Sequence, residues 1–99
     1  MAFQITFAES VAEQLRTLTT AERSRVLDAI ERQLVHEPVA ESRHRKRLRP
    51  NPMAPWELRV GRLRVFYEVA ADARDVVRVL AIGKKERNVL RIGRREIKL

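Results

Sequence analysis

The sequence predicts an α+β fold: an N-terminal strand, a two-helix hairpin and then an antiparallel sheet, in the order β-α-α-β-β-β with a short variable element at the C-terminus. Two periodicities and one turn predict it. Residues 11–34 carry apolar side chains at helical spacing. Residues 3–8 and the chain from 56 onward alternate apolar and polar side chains, the period of a strand with one buried face. Gly61-Arg62, between two such runs, has the glycine-first pattern of a two-residue hairpin loop.

In "FQITFA" (3–8), Phe3, Ile5 and Phe7 alternate with Gln4 and Thr6, which reads as a half-buried strand. In "ESVAEQLRTL" that follows, Val11, Leu15 and Leu18 fall at helical spacing, and Ser10-x-x-Glu13 is a candidate cap. The next segment, "TTAERSRVLDAIERQLVHEP", has the strongest helical pattern. Thr19-x-x-Glu22 predicts a capping box, Val26, Leu27, Ile30 and Leu34 form one stripe, and Pro38 closes the helix. Residues 39–55 show no periodicity, and Pro50, Pro52 and Pro55 oppose both helix and central strand, so this stretch reads as a surface loop. "VVRVLAIG" (76–83) is apolar enough for a central strand. The tail "KKERNVLRIGRREIKL" reads as a helical turn followed by a short strand at "REIKL".

A loop at Gly61-Arg62 sets the hairpin register. Val60 faces Leu63, Arg59 faces Arg64, Leu58 faces Val65, Glu57 faces Phe66 and Trp56 faces Tyr67. One face is then Trp56, Leu58, Val60, Leu63, Val65, Tyr67 and Val69, the core face under the helices. The other, expected to be open, carries Glu57, Arg59, Arg64, Phe66 and Glu68. Phe66 there reads as packing beneath the C-terminal tail.

At 99 residues the chain is expected to form one domain over 1–99. No apolar run is long enough to span a membrane, and the absence of cysteine excludes a disulfide framework or a cysteine zinc site. No metal cluster is visible, and no cofactor or membrane partner is expected. A cytoplasmic location fits these features. The net charge of +8 points to a polyanionic partner. It is unevenly distributed: residues 1–40 hold four basic and six acidic side chains, whereas residues 41–99 hold 17 basic and seven acidic. "RHRKRLR" (43–49) concentrates Arg43, Arg45, Lys46, Arg47 and Arg49, and reads as a nonspecific grip on phosphates. His44 in the same run reads as a solvated loop residue.

The hairpin holds an electrostatic anomaly. Arg59 directly opposite Arg64 destabilises a sheet by about half a kcal/mol unless the repulsion is relieved. Two readings stand side by side. Glu57 and Glu68 neutralise the arginines as a solvated lattice, or a phosphate settles between the guanidinium groups.

The pieces "LRVGRLRVFYEV" (58–69) and "VVRVLAIGKKERN" (76–88), preceded by a strand and a helical hairpin, resemble the RelE/ParE superfamily of bacterial type II toxin-antitoxin toxins, the RelE branch in particular. The resemblance implies a toxin that cleaves messenger RNA on the ribosome as an mRNA interferase, is neutralised by a cognate antitoxin, and uses no metal. It places Arg64 at the scissile phosphate and Lys84 and Lys85 in the basic position after the next strand. Arg64, Glu57 and Lys85 are the candidate catalytic residues, with Glu57 as base. Arg59, Lys84 and the 43–49 cations are the candidate RNA contacts. The sequence departs from the family pattern at two places. Pro55 and Glu57 stand where some members carry lysine, and "NVLRIG" lacks the late Tyr or His, which leaves no assigned general acid. Two alternatives follow: a ParE-like inhibitor of DNA gyrase, or an inactive module that binds only antitoxin or RNA.

Overall fold

The computed structural model describes residues 2–98. Its elements are β1 (Gln4–Phe7), α1 (Val11–Arg16), α2 (Thr20–Leu34), β2 (Arg45–Arg47), β3 (Trp56–Val60), β4 (Leu63–Val69), β5 (Val76–Glu86), β6 (Val89–Ile92) and β7 (Arg95–Lys98). The strands form one sheet in the order β2-β3-β4-β5-β6-β7, with β1 parallel to β5. This is the expected α+β architecture, with β2 and a C-terminal β6–β7 hairpin added to it.

The β3–β4 hairpin takes the expected register, from Trp56 opposite Tyr67 to Val60 opposite Leu63. Gly61 has φ +60°, the left-handed value that a glycine-first two-residue loop requires. Thr19 and Glu22 form the expected capping box at the start of α2. Ser10 makes no side-chain cap; its backbone is already helical there, which turns the hydroxyl away from the free N–H groups.

The main core lies between the helices and one face of the sheet. Val26, Ile30 and Leu34 of α2 meet Trp56, Leu58, Leu63, Val65, Tyr67, Val77, Val79 and Ile82. Trp56 and Tyr67 stack with ring centroids 6.1 Å apart, and the buried Tyr67 hydroxyl donates to Pro38 O at 2.6 Å. Two expectations are corrected here. Leu27 leaves the α2 stripe and is 39 % exposed, and Phe7 at the end of β1 is 47 % exposed. Phe3 and Ile5 do pack on the core.

The second face of the sheet is not open, which corrects the sequence reading. Phe66, Ala81, Leu90 and Ile92 form a smaller cluster with Ala54, flanked by Leu48, Met53 and Ile97. The proline-rich loop and the C-terminal hairpin therefore cover part of it, and Phe66 packs beneath them as expected. The tail forms no helical turn, because β5 runs on through Lys84 to Glu86 and pairs with β6. The loop owes its shape to Asn51. Its amide donates to Arg49 O and Ala54 O and accepts from the N–H groups of Met53 and Ala54. All four bonds of the side chain are made. Asn51→Ala is expected to lower stability by about 2 kcal/mol, measured by urea unfolding, because part-buried backbone groups lose their partners.

One irregularity in β5 controls which residues face the second side. Phe66 pairs with Ala81 but Tyr67 pairs with Val79, so Leu80 is an extra residue, a β-bulge. On its other edge β5 is shared: Val76–Val79 pair with β1 and Gly83–Glu86 with β6. In the gap between them, the Ile82 N–H donates to Gln14 Oε1 of α1 at 2.8 Å.

Candidate functional site

The β3–β4 turn and the β5–β6 turn lie next to each other and enclose a cleft of about 700 Å³ lined by Gly61, Arg62, Arg64, Lys85, Glu86, Arg87, Val89 and Arg91. Five of these side chains are cationic and one is a carboxylate. Lys85 is hung over the hairpin turn by its backbone, whose N–H donates to Arg62 O at 2.8 Å. Arg87 holds φ +57°, a left-handed conformation costing a non-glycine residue roughly 1–2 kcal/mol.

Arg64 is the most constrained cation. Its side chain is only 13 % exposed. Nη1 donates to Gly61 O at 2.6 Å and to Leu63 O at 2.9 Å, so the turn clamps one side of the guanidinium. Nε is buried with no hydrogen-bond partner. The nearest carboxylate oxygen, Glu57 Oε1, stands 4.0 Å away, because it accepts from Arg59 Nε at 2.7 Å instead. Burial pushes the Arg64 pKa below the usual guanidinium value; Glu57 pulls it up and Arg59 pushes it down. With Nη1 on the turn carbonyls and Nε buried, the guanidinium is fixed in place and Nη2 is the nitrogen left to meet an anion in the cleft.

The structure keeps some candidates together and separates others. Arg59 and Arg64 face each other as expected, and Arg64 shares the cleft with Lys85. Glu57 lies between the arginines as their counterion rather than as an unengaged carboxylate. Lys84 sits on the helix side, its Nζ 2.6 Å from Glu22 Oε2. The basic segment 43–49 contains β2, two strands away from Arg64. Within it Arg45 donates to Ala40 O and to the Gln33 carbonyls, tying β2 to the end of α2. Arg47 lies over the Trp56 ring at 5.6 Å. Arg43 and Arg49 are exposed and Lys46 is half-buried. The sequence reads Arg62 as a solvated turn residue and gives Arg87 and Arg91 no role, yet all three line the cleft. The β5–β6 turn that gathers Arg87 and Arg91 carries Asn88 but no glycine, a weaker turn signal than Gly61.

Glu22 gives a pH prediction. The hydrogen bond to Lys84 and that from the Thr19 N–H hold its carboxyl below its ordinary value of 4.5. A depressed carboxylate contributes stability that is fully present above the unfolded pKa and is lost as pH falls through the folded one. Stability against urea is therefore expected to fall below about pH 4.5, and Glu22→Gln to flatten that loss.

The fold and cleft define a class: a basic α+β protein that presents a cleft lined by cationic residues at the end of a hairpin. The chain belongs to the ParE toxin family of type II toxin-antitoxin systems, whose family model matches residues 5–96, and so to the RelE/ParE superfamily. Among solved structures it is similar to the toxin-antitoxin complex RelBE2 of Mycobacterium tuberculosis. The TM-score is 0.72 at 21 % identity, over 86 % of this chain and 93 % of that one. It is also similar to the archaeal RelE–RelB complex of Pyrococcus horikoshii, with TM-score 0.63 at 24 % identity over 88 % and 99 %. No curated protein matches it. Among the described residues no helix is long and apolar enough to cross a membrane.

Proposed function

We propose that this toxin cleaves messenger RNA on the ribosome, in the cytoplasm, with the scissile phosphate held in the cleft between Arg64 and Lys85. The observation that carries the reading is Arg64 itself, fixed through Nη1 by the hairpin turn in a cleft lined by five cationic residues. Scission needs the 2′-hydroxyl to attack phosphorus, a base for its proton, an acid for the departing 5′-oxygen, and cations for the charge on the phosphorane. Glu57, 4.0 Å from Arg64 Nε, acts as base. Lys85 protonates the leaving oxygen, and Arg64 and Arg62 hold the phosphorane oxygens. The products are a 2′,3′-cyclic phosphate and a 5′-hydroxyl.

A second reading is gyrase inhibition without RNA cleavage. It is favoured by the lining of the cleft, where neither His nor Tyr appears among the described residues. Induced expression with RNA-end mapping and plasmid-supercoiling analysis separates the two. Codon-associated cuts support the first reading. Relaxed plasmid with intact messages supports the second and ends the first.

We place the neutralising antitoxin on the helix side. Phe7 and Leu27 are exposed there and line an apolar groove with Ala8, Ala12 and Leu15, next to the outer edge of β1. Phe7→Ser combined with Leu27→Ser is expected to arrest growth like the wild type but to escape rescue by co-expressed antitoxin. A pull-down of the antitoxin checks the loss of binding.

A further inference from the structure

Lys84 and Lys85 are chemically equivalent neighbours, yet only one of them can face Arg64, because adjacent strand side chains point to opposite sides. Val77 and Val79 are both in the main core. Unbroken alternation from them would send Lys85 towards the helices and Lys84 towards Arg64. The bulge at Leu80 reverses this. Beyond it Val65 pairs with Ile82, Arg64 with Gly83 and Leu63 with Lys84, so Ile82 and Lys84 face the helices and Lys85 faces the cleft. A bulge stays in place only if the strand is pinned on both sides of it. Upstream, Val77 and Val79 do this. Downstream, Ile82 is the last core residue of β5 and Gly83 has no side chain. The next side-chain anchor is Lys84, its Nζ 2.6 Å from Glu22 Oε2 and, more loosely, 3.9 Å from Glu86 Oε1 on its own strand. The other oxygen of Glu22 accepts the Thr19 N–H at 2.9 Å, and its own N–H donates to Thr19 Oγ1 at 3.1 Å. The carboxylate that receives Lys84 is thus fixed to the start of a 15-residue helix.

We infer that Glu22 and Lys84 are positioning residues of the cleft: their ion pair locks the shifted register of β5 and so selects Lys85 as the lysine presented beside Arg64. The inference rests on the cleft being a phosphate site, but the lock can also be read without any ligand. Glu22→Gln keeps the capping box, which accepts glutamine, and removes the charge; Lys84→Met removes the ammonium. In hydrogen exchange on the free protein, both variants are expected to lose about fivefold protection at the Lys85 amide, while Val77 and Val79 keep theirs. Unchanged protection at Lys85 overturns the lock. With a short single-stranded oligoribonucleotide followed by anisotropy across a salt series, each variant is expected to flatten the slope of log affinity against log salt by about 0.7, the loss of one phosphate contact. Lys85→Met is expected to do the same, and combining it with Glu22→Gln to add nothing further. Additive effects, or a slope that stays put while the melting temperature falls, overturn the positioning role. A wild-type chain that binds no oligoribonucleotide but still shows the Lys85 protection loss in the variants ends the phosphate reading and leaves the lock standing.

Discussion

Cells expressing Arg64→Ala are expected to keep growing where the wild-type chain arrests them, with the rate of message cleavage reduced about 10²–10³-fold, the usual effect of deleting one preorganised transition-state donor. Two backbone carbonyls of the hairpin turn hold the guanidinium in place, so on the proposed reading little reorganisation of this side chain accompanies phosphate binding. Lysine cannot replace it, since an ammonium is a point charge without the planar fork, and Arg64→Lys is expected to be nearly as inactive. Stability should move the other way. In the free protein Arg64 keeps a buried Nε without a partner and faces Arg59 across the strand pair. Arg64→Met removes both penalties, and the variant is expected to be as stable as the wild type or more so by up to about 1 kcal/mol. Growth curves, RNA-end mapping and thermal melting of purified variants test the two halves together. A variant that is inactive because it is unfolded would refute the reading of Arg64 as a functional rather than structural residue.

Gly83→Ala is expected to be the most damaging single methyl group in the molecule. A Cβ at this position would lie 2.4 Å from Arg91 O and 2.9 Å from Ile92 Cγ1. The first contact is with backbone, which cannot swing aside as a side chain can, so β6 has to move. Overpacking of this kind costs about 3 kcal/mol, and the cost falls on the hairpin whose Leu90 and Ile92 cover Phe66. Because Val89 and Arg91 of the same strand line the cleft, activity should fall with stability. Thermal melting should show the destabilisation. Hydrogen exchange should place it in residues 89–97, with the β3–β4 hairpin retaining its protection. Gly61 makes a useful contrast. A side chain there meets nothing within 4 Å, so its constraint is the positive φ alone, and Gly61→Asn, which tolerates that conformation, is expected to be mild.

The hairpin at the centre of the site was legible because its determinants are local. A glycine-first loop sets the turn, the turn sets the register, and the period of two assigns every side chain from Trp56 to Tyr67 to a face. The pairing of Arg59 with Arg64 follows directly, and so does the capping box at Thr19 and Glu22, whose four residues are contiguous. The departures come from long-range packing. The exposure of Leu27 and Phe7 and the cover that Leu90 and Ile92 place over Phe66 depend on segments far apart in the chain. The loss of Arg45 to Gln33 and Ala40 is nearer in sequence, but it runs through an aperiodic stretch whose path no pattern fixes.

The two lysines after the fourth predicted strand show where that boundary falls. Composition, charge asymmetry and the order of periodic segments are properties of the linear chain, and they were enough to establish an α+β fold with a cationic C-terminal half; the toxin family came from the resemblance carried by residues 58–69 and 76–88. Whether Lys84 or Lys85 meets Arg64 depends on one extra residue in β5. A bulge leaves no local signature in a run as uniformly apolar as "VVRVLAIG", because valine, leucine, alanine and isoleucine suit either face. Its position is chosen by the helices packed on one side, by β6 crowding Gly83 on the other, and by a carboxylate 62 residues away in the chain that gives Lys84 a partner.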